Sequence, residues 1–547
     1  MKKTLKRTLL LITALMLVAA MLAGCSGKSD DSATVSSPPP AGTETSNQPE
    51  QSQQPQQSQE PGNAPGYESP DVQPPPSERP LRVSTNTTFA SIDPHYCAQN
   101  ADLYLSSLLY EGFYDVDDLG VLTPRLATDY EVSEDGTVYT YHLKSGVKWQ
   151  TGGDFTSADV LYSIARAQES PYTYDYVAYI VDVEAPDELT VVITLAMMSP
   201  TFDVDINRVW FLSEAAVGDL DVGFTNEIQG GTGPYTLATW RPDSKVTVSR
   251  NPRYHWAPAP IGDIEITVFG DSNAALRSFE AGELDYVPVP TSDWERISGS
   301  GKYKTYIQDT ISVVFGSMNN QVAPFDDPLV RQAFNYAVDI DDMIYAIDGF
   351  GSPASVLGNS ALLFGIPKPG EIFEYSYDPS MAMELLAEAG YPDGLTLDEP
   401  LLTMATDEFS IPAQVLQAQL EAIGVNVEIR TEEQSALVMD LILGNYSIAI
   451  MGLSLPVDAS MVTMAYKTDY IDALNLARYS NPIVDDLFAQ ADSTLDKQER
   501  IRLYQEAFDI ASREAAYIPL YAMQAGFATA PELQSSVYTN WYYWYWD

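Results

Sequence analysis

The sequence predicts an α/β fold of more than one lobe, and three observations predict it. Strand-like runs alternate with helical runs along the chain. The helices carry explicit start and stop residues. The folded part, about 465 residues from Leu81 onward, is too long for one ordinary domain, yet no linker interrupts it. Its lobes must therefore pack together, with the chain crossing between them.

The elements follow in order. Leu81-Arg82-Val83-Ser84-Thr85 opens the body as a strand. Thr137 to Leu143 alternates, with Tyr139, Tyr141 and Leu143 on one face, and reads as a half-buried strand after a Glu134-Asp135-Gly136 turn. Residues 264–269 and 425–429 read as two further strands. Thr156 caps a helix over 157–168, with Asp159 at the capping-box position. Asp327-Pro328 starts a helix over 329–338, and Asp378-Pro379 starts one over 380–389 that Gly390 stops. Asp496, with Glu499 three residues on, starts a helix running to Arg513. Leu503, Ala507 and Ile510 mark its apolar face, widened by Ile501, Tyr504 and Phe508.

Residues 1–24 read as a signal peptide. Lys2, Lys3, Lys6 and Arg7 precede an apolar run from Leu9 to Leu22, shorter than the ~20 residues a membrane span needs. The run ends in Leu22-Ala23-Gly24-Cys25, which resembles a bacterial lipobox and implies cleavage before Cys25 with lipidation of its thiol. Two acyl chains hold a soluble body firmly, at ~0.8 kcal/mol per buried CH₂. Residues 25–80 are rich in Pro, Gln and Ser and nearly devoid of large apolar residues. Such a segment cannot offset its ordering entropy and reads as an extended tether, reaching at most ~170 Å at polyproline rise. A tether this long suits the outer face of the cytoplasmic membrane of a single-membrane bacterium.

Composition narrows the function. Acidic residues number 76 against 29 basic, for a net charge of −47. That field repels phosphate backbones and anionic headgroups, so nucleic-acid binding and membrane binding through a basic surface are excluded. The two cysteines, Cys25 and Cys97, make neither a disulfide framework nor a Cys-based zinc site. The 34 Tyr and 8 Trp can serve the core and also a large pocket of mixed polarity. No Gly-rich phosphate loop with its Lys, no HExxH and no Gly-x-Ser-x-Gly occurs. His95 and Cys97 form an HxC pair that reads as packing, not as a metal site. Gly230 to Tyr235 reads as a tight turn. These features point to a binding protein and not to an enzyme, with no cofactor and no metal.

Ordered motifs then carry a resemblance. They include Ile92-Asp93-Pro94-His95, Leu109-Tyr110-Glu111-Gly112, Tyr130 to Thr137, and His142 to Trp149 followed by Phe155 to Val160. Further on stand Gly231-Thr232-Gly233-Pro234-Tyr235, Asn251-Pro252-Arg253-Tyr254, Phe325 to Ala333, Leu385 to Gly394 and Ile518-Pro519-Leu520-Tyr521. The chain resembles the solute-binding lipoproteins of peptide and nickel ABC importers, the extracellular solute-binding family 5.

The resemblance implies a two-lobed Venus-flytrap fold with an extra subdomain in lobe I. Lobe I would comprise 81–123, 234–325 and 521–547, the subdomain 124–233, and lobe II 326–520. It implies a monomer that closes on an oligopeptide and delivers it to ABC permease subunits with cytosolic ATPases. Trp149, Gly152 and Asp154 look structural in this family's signature block. In peptide-binding relatives, a Gly-Trp segment of lobe II is followed by an Asp that anchors the ligand's ammonium. Here Leu453 stands at the Trp position and Pro456 at the Asp position, with Asp458 two residues later. Leu453 and Asp458 are therefore ligand candidates, Asp458 as an amine anchor on a shifted loop. Phe89 and Tyr96 in the first lobe I loops, and Phe315 and Asn319 before the crossing to lobe II, are candidates by position. The alternatives are a ligand without a free ammonium, such as an oligosaccharide or a metal chelate, or a surface receptor that signals. The aromatic tail from Trp541 is expected to bury against the body.

Overall fold

Strand β1 (Leu81–Thr85) opens the body of the computed structural model, and helix α1 (Asn100–Leu109) follows it. The structure describes residues 77–97, 99–116, 121–218, 220–224, 230–362, 364–454, 459–535 and 544–546. The signal peptide, Cys25, most of the tether, Asp458 and Trp541 lie outside the described residues. Among those described, no helix is long and apolar enough to cross a membrane.

Next comes a separate antiparallel layer. It contains β2 (Ala127–Val132), β3 (Val138–Leu143), α2 (Ser157–Glu169), β4 (Ile180–Asp187) and β5 (Thr190–Leu195), in sheet order β2-β3-β5-β4. The period-two reading of β3 holds: Tyr139, Tyr141 and Leu143 are buried and the alternate residues are half-buried. Phe113 stacks on Tyr141 with ring centroids 4.0 Å apart. The capping box of Thr156 and Asp159 is formed.

The chain then runs through β6 (Tyr235–Arg241), β7 (Lys245–Arg250), β8 (Asp263–Val268), α3 (Ser272–Glu280), β9 (Tyr286–Val289) and α4 (Thr291–Ser298). The 15-residue β10 (Lys304–Met318) leads out of this region. Beyond it lie α5 (Pro328–Tyr336), α6 (Ile340–Ala346), β11 (Gly351–Pro353), α7 (Pro379–Glu388), β12 (Leu401–Met404) and α8 (Asp407–Ala422). They are followed by β13 (Ile429–Glu432), α9 (Gln434–Leu443), β14 (Ile448–Ser454), α10 (Pro482–Ala491) and α11 (Lys497–Arg513). The chain returns through β15 (Ile518–Thr529). The aspartates read as caps do cap: Asp327 accepts from Leu329 N, Asp378 from Ser380 N and Met381 N, and Asp496 from Gln498 N and Glu499 N.

One 11-stranded sheet joins the labelled strands outside the antiparallel layer, in order β13-β12-β14-β10-β15-β9-β1-β8-β7-β6, with β11 also on β15. Buried apolar side chains nevertheless form separate clusters. One lies on the β12 to β14 side, from Val314 to Tyr521; one lies around β1 and β8; one fills the antiparallel layer. The fold is the two-lobed α/β architecture expected, and β10 and β15 run through both lobes.

Three readings need correction. Residues 425–429 are not one strand: Val425–Asn426 pairs with Leu395–Thr396, and β13 pairs with β12 in the main sheet. Gly230 to Tyr235 is not simply a turn. A Cβ on Gly231 would lie 2.0 Å from the Leu109 carbonyl oxygen, so the glycines allow two backbones to cross in contact. On α11 the buried face is Leu503, Tyr504, Ala507, Phe508 and Ala511, with Ile501 and Ile510 at its edges. From the tail, Trp544–Trp546 pairs antiparallel with Leu533–Ser535.

Candidate functional site

Strand direction locates the site. In lobe I, β8, β1 and β9 are parallel, and in lobe II so are β13, β12 and β14. Both sets end on the same stretch of the two shared strands. Val289, the end of β9, faces Gly526, which pairs with Ile307. Ser454, the end of β14, faces Ser312. Ligands of open α/β sheets bind outside the carboxyl ends of the strands. Here two sets of such ends converge on residues 307–312 from opposite sides, which defines a crevice with a hinge as its floor.

The hinge is a bulge. Asp309 pairs with Gln524 and Val313 with Ala522, so Thr310, Ile311 and Ser312 stand against Met523 alone. The extra residues break the ladder and let the strand bend. Side chains secure its edges. The Asp309 carboxylate accepts from Ser352 Oγ and Gln524 Nε2, each at 3.1 Å. Buried Asn359 donates to the Thr310 carbonyl at 2.9 Å, and the Ser312 and Ser454 hydroxyls are 2.6 Å apart. Trp294 of lobe I meets Phe350 of lobe II edge-on at 5.4 Å. Ile307 and Ile311 remain 45% and 37% exposed.

The lobe II rim starts a helix. Thr406 is the N-cap of α8, and Asp407 and Glu408 occupy its first turn, where carboxylates favour the helix dipole. Phe409 packs under Gly452, where a Cβ would come 2.8 Å from its ring. Glu408 Oε2 is shielded from solvent without a hydrogen-bond partner. The lobe I rim is the loop after β1, with Asn86 and Thr88 exposed. Among the described residues, Asp309, Asp407 and Glu408 have no cation partner, so the hinge and rim are acidic.

The residues singled out by position fall elsewhere. Phe89 is buried in lobe I, with its ring 6.0 Å from Trp240. Tyr96 is half-buried at the seam with the antiparallel layer, over Arg166 at 5.2 Å and edge-on to Tyr172 at 6.4 Å. Phe315 is fully buried against Tyr517 at 5.6 Å. Asn319 is buried and donates to the Gly444 and Tyr446 carbonyls. Leu453 is 2% exposed in β14, one residue short of the rim. Four of these side chains pack the cores, and Tyr96 packs a seam. Asp458 falls in the undescribed stretch directly after Leu455-Pro456-Val457. Sequence reading missed Asp309, Thr310, Ser312, Asn359, Asp407 and Glu408. Leu401–Met404 running into Ala405-Thr406-Asp407-Glu408 was a legible strand-to-N-cap signal.

The Ile92-Asp93-Pro94-His95 motif is structural. Asp93 is buried, and Arg166 from α2 lies two-pronged on it. The His95 ring nitrogen Nε2 lies 2.8 Å from the Trp210 carbonyl, and Cys97 Sγ donates to the Asp93 carbonyl. Burial pushes the Cys97 thiol up to about 12. Among the described residues no group of three His, Cys, Asp or Glu could hold a metal.

Comparison with known proteins decides the family. Residues 121–470 match the middle region of the bacterial extracellular solute-binding proteins, family 5. The chain belongs to that family. Family 5 relatives include heme-binding protein A of Haemophilus influenzae, 28% identical over 82% of this chain and 89% of that protein. The glutathione-binding protein GsiB of Escherichia coli is 29% identical over 80% of this chain and 88% of that protein. The solved structure of HbpA2 from Haemophilus parasuis shares the fold, with a TM-score of 0.77, 22% identity, and coverage of 86% of this chain and 100% of that one. These relatives are solute-binding proteins and not enzymes, and the chain is a solute-binding protein of the ABC importer class.

Proposed function

We propose that this family 5 protein is an extracellular receptor, lipid-anchored through Cys25 and carried on the 25–80 tether. It captures oligopeptides by closing its cleft and delivers them to a membrane permease driven by cytosolic ATPases. The observation that carries this reading is the convergence of both sets of strand ends on the bulge at Thr310–Ser312. A ligand there touches both lobes, and only a ligand with different affinity for open and closed forms shifts their balance. The lobes are taken as 81–123, 234–325 and 521–547 for lobe I with the subdomain 124–233, and 326–520 for lobe II.

The acidic rim supports a peptide with a free ammonium. Asp407 and Glu408 stand in the first turn of α8 on the lobe II rim. A charge-assisted bond from an α-ammonium to one of them is worth ~1.5–3 kcal/mol. Glutathione, named for the Escherichia coli relative, is itself a short peptide with an α-ammonium. A second reading, a porphyrin or metal chelate, is favoured by the heme-binding Haemophilus relative.

The test is a thermal-shift panel on the full chain with free-amine and N-acetylated tri- to pentapeptides, glutathione, haem and nickel–histidine. A ligand at about 100 times its Kd stabilises the fold by ~2.7 kcal/mol. Shifts with free-amine peptides alone support the proposal, and D458A and E408Q should then weaken them. Shifts with haem or nickel–histidine alone replace the ligand assignment.

A further inference from the structure

The two lobes touch at a second place besides the hinge strands. Arg500, in the first turns of α11, is 2% exposed, and its Nη1 donates to the Pro200 carbonyl of the antiparallel subdomain. Its guanidinium stands 5.4 Å from the Phe364 ring centroid. Lys497, one turn earlier, pairs with Asp203 at 3.4 Å, and Asp203 also accepts from Tyr130 Oη at 3.2 Å. An apolar contact flanks these groups: a Cβ on Gly136 would meet Met198 at 2.6 Å and Leu495 at 2.9 Å. The subdomain itself is fastened to lobe I. Arg166 grips Asp93, Gln150 Nε2 donates to the Leu109 and Tyr235 carbonyls at 2.9 and 2.7 Å, and Arg253 Nη1 donates to the Gln150 carbonyl at 3.0 Å. The Met198–Asp203 loop therefore travels with lobe I, and Lys497 and Arg500 travel with lobe II.

Asn86 and Thr88 on one rim, and Thr406 and Asp407 on the other, are exposed. Among the described residues no hydrogen bond or ion pair joins these two rims.

We propose that the contact of the Met198–Asp203 loop with Lys497 and Arg500 is a brace that holds the cleft open, and that closure breaks it. This rests on the reading of the cleft as a closing receptor site. The brace sets the open–closed balance through residues other than those named at the crevice, so its loss changes affinity while those groups stay in place.

The test is a distance measurement between maleimide nitroxide labels on T88C and T406C, by double electron–electron resonance on the full chain carrying C25S. Cys97 is buried and stays unlabelled. The unbraced variants are R500M, which keeps the side-chain bulk, and K497Q, an exposed change that leaves the core alone. Without ligand, both should raise the short-distance population at least threefold. Unchanged distances in folded K497Q and R500M, or longer ones, overturn the brace. Trialanine added to the parent separates the two proposals. If it shortens the distance while the variants do not, the receptor reading stands and the brace falls. If the variants shorten it and trialanine does not, the brace stands and the peptide assignment loses support.

Discussion

Arg166 lies two-pronged on the carboxylate of Asp93, with Nη1 2.8 Å from Oδ1, and ties helix α2 of the subdomain to the loop after β1 of lobe I. Asp93 is buried and also accepts the backbone N–H of His95 at 3.2 Å and of Gly223 at 2.8 Å. Tyr96 and Phe224 flank the guanidinium at 5.2 and 5.8 Å. The motif that marks the family at the start of the body thus builds a joint and not a ligand contact.

Arg166→Met should be strongly destabilising. It leaves the Asp93 carboxylate buried with its backbone donors but without its cation. Removing one partner of a buried pair costs about 3–5 kcal/mol. The double variant D93N/R166M should recover part of that loss, because no charge is then stranded. Urea unfolding followed by tryptophan fluorescence checks both, and a loss below about 1 kcal/mol for R166M would contradict the joint.

His95 predicts an acid sensitivity. Burial, with the Arg166 charge adding to it, pushes its imidazole down to about 4. The folded chain keeps the ring neutral where the unfolded chain, with a pKa near 6.5, already binds a proton. Between those values the unfolded state holds more protons, so stability falls as pH drops from about 6.5 to about 4 and then levels for this group. The span corresponds to ~3 kcal/mol from one residue. His95→Gln should flatten that slope relative to the parent chain. Denaturant midpoints at half-unit pH steps measure the difference, and parallel slopes would remove His95 as the cause.

Local chemistry was legible in the sequence and long-range register was not. Asp327, Asp378 and Asp496 announce helices because each acts on N–H groups two or three residues away. The hinge depends on Asp309 and Val313 meeting Gln524 and Ala522, over 200 residues later, and no pattern within either strand encodes that bulge. Phe315 was expected at the cleft because it sits near the crossing, and Leu453 because it stands at the Trp position of the family's Gly-Trp segment. Strands covered on both faces, such as Leu401–Met404, bury every residue, so period-two reasoning has no exposed face to find. The 425–429 run has the composition of one strand, but its two halves serve different sheets.

Cys97 should be inert in the native chain. Its thiol is buried, donates to the Asp93 carbonyl at 2.9 Å, and is pushed up to about 12 by burial. Thiolate is the nucleophile, and at pH 8 almost none forms at this site. Iodoacetamide on folded C25S protein should leave Cys97 unmodified, while the same reagent in 8 M urea alkylates it fully, as read by intact mass. Rapid labelling of the folded protein would show that the loop after β1 opens often enough to release the joint.

Gly231 and Gly270 make a matched pair for the backbone crossing. A Cβ on Gly231 would stand 2.0 Å from the Leu109 carbonyl oxygen and 2.8 Å from the Tyr110 ring, whereas one on Gly270 meets nothing within 4 Å. The obstacle at Gly231 is main chain, which cannot swing aside like a side chain. The segment is also held there, since Gln150 N donates to the Gly231 carbonyl at 2.9 Å and Gly233 N to the Leu109 carbonyl at 3.0 Å. G231A must therefore push the subdomain joint apart, at a cost of about 1–3 kcal/mol or more. G270A changes only chain entropy, and its effect stays within about 1 kcal/mol. Thermal midpoints of the two variants test this. Equal midpoints would mean that the 230–233 segment relaxes away from α1, and the crossing would then be a passive connection instead of a packed seam.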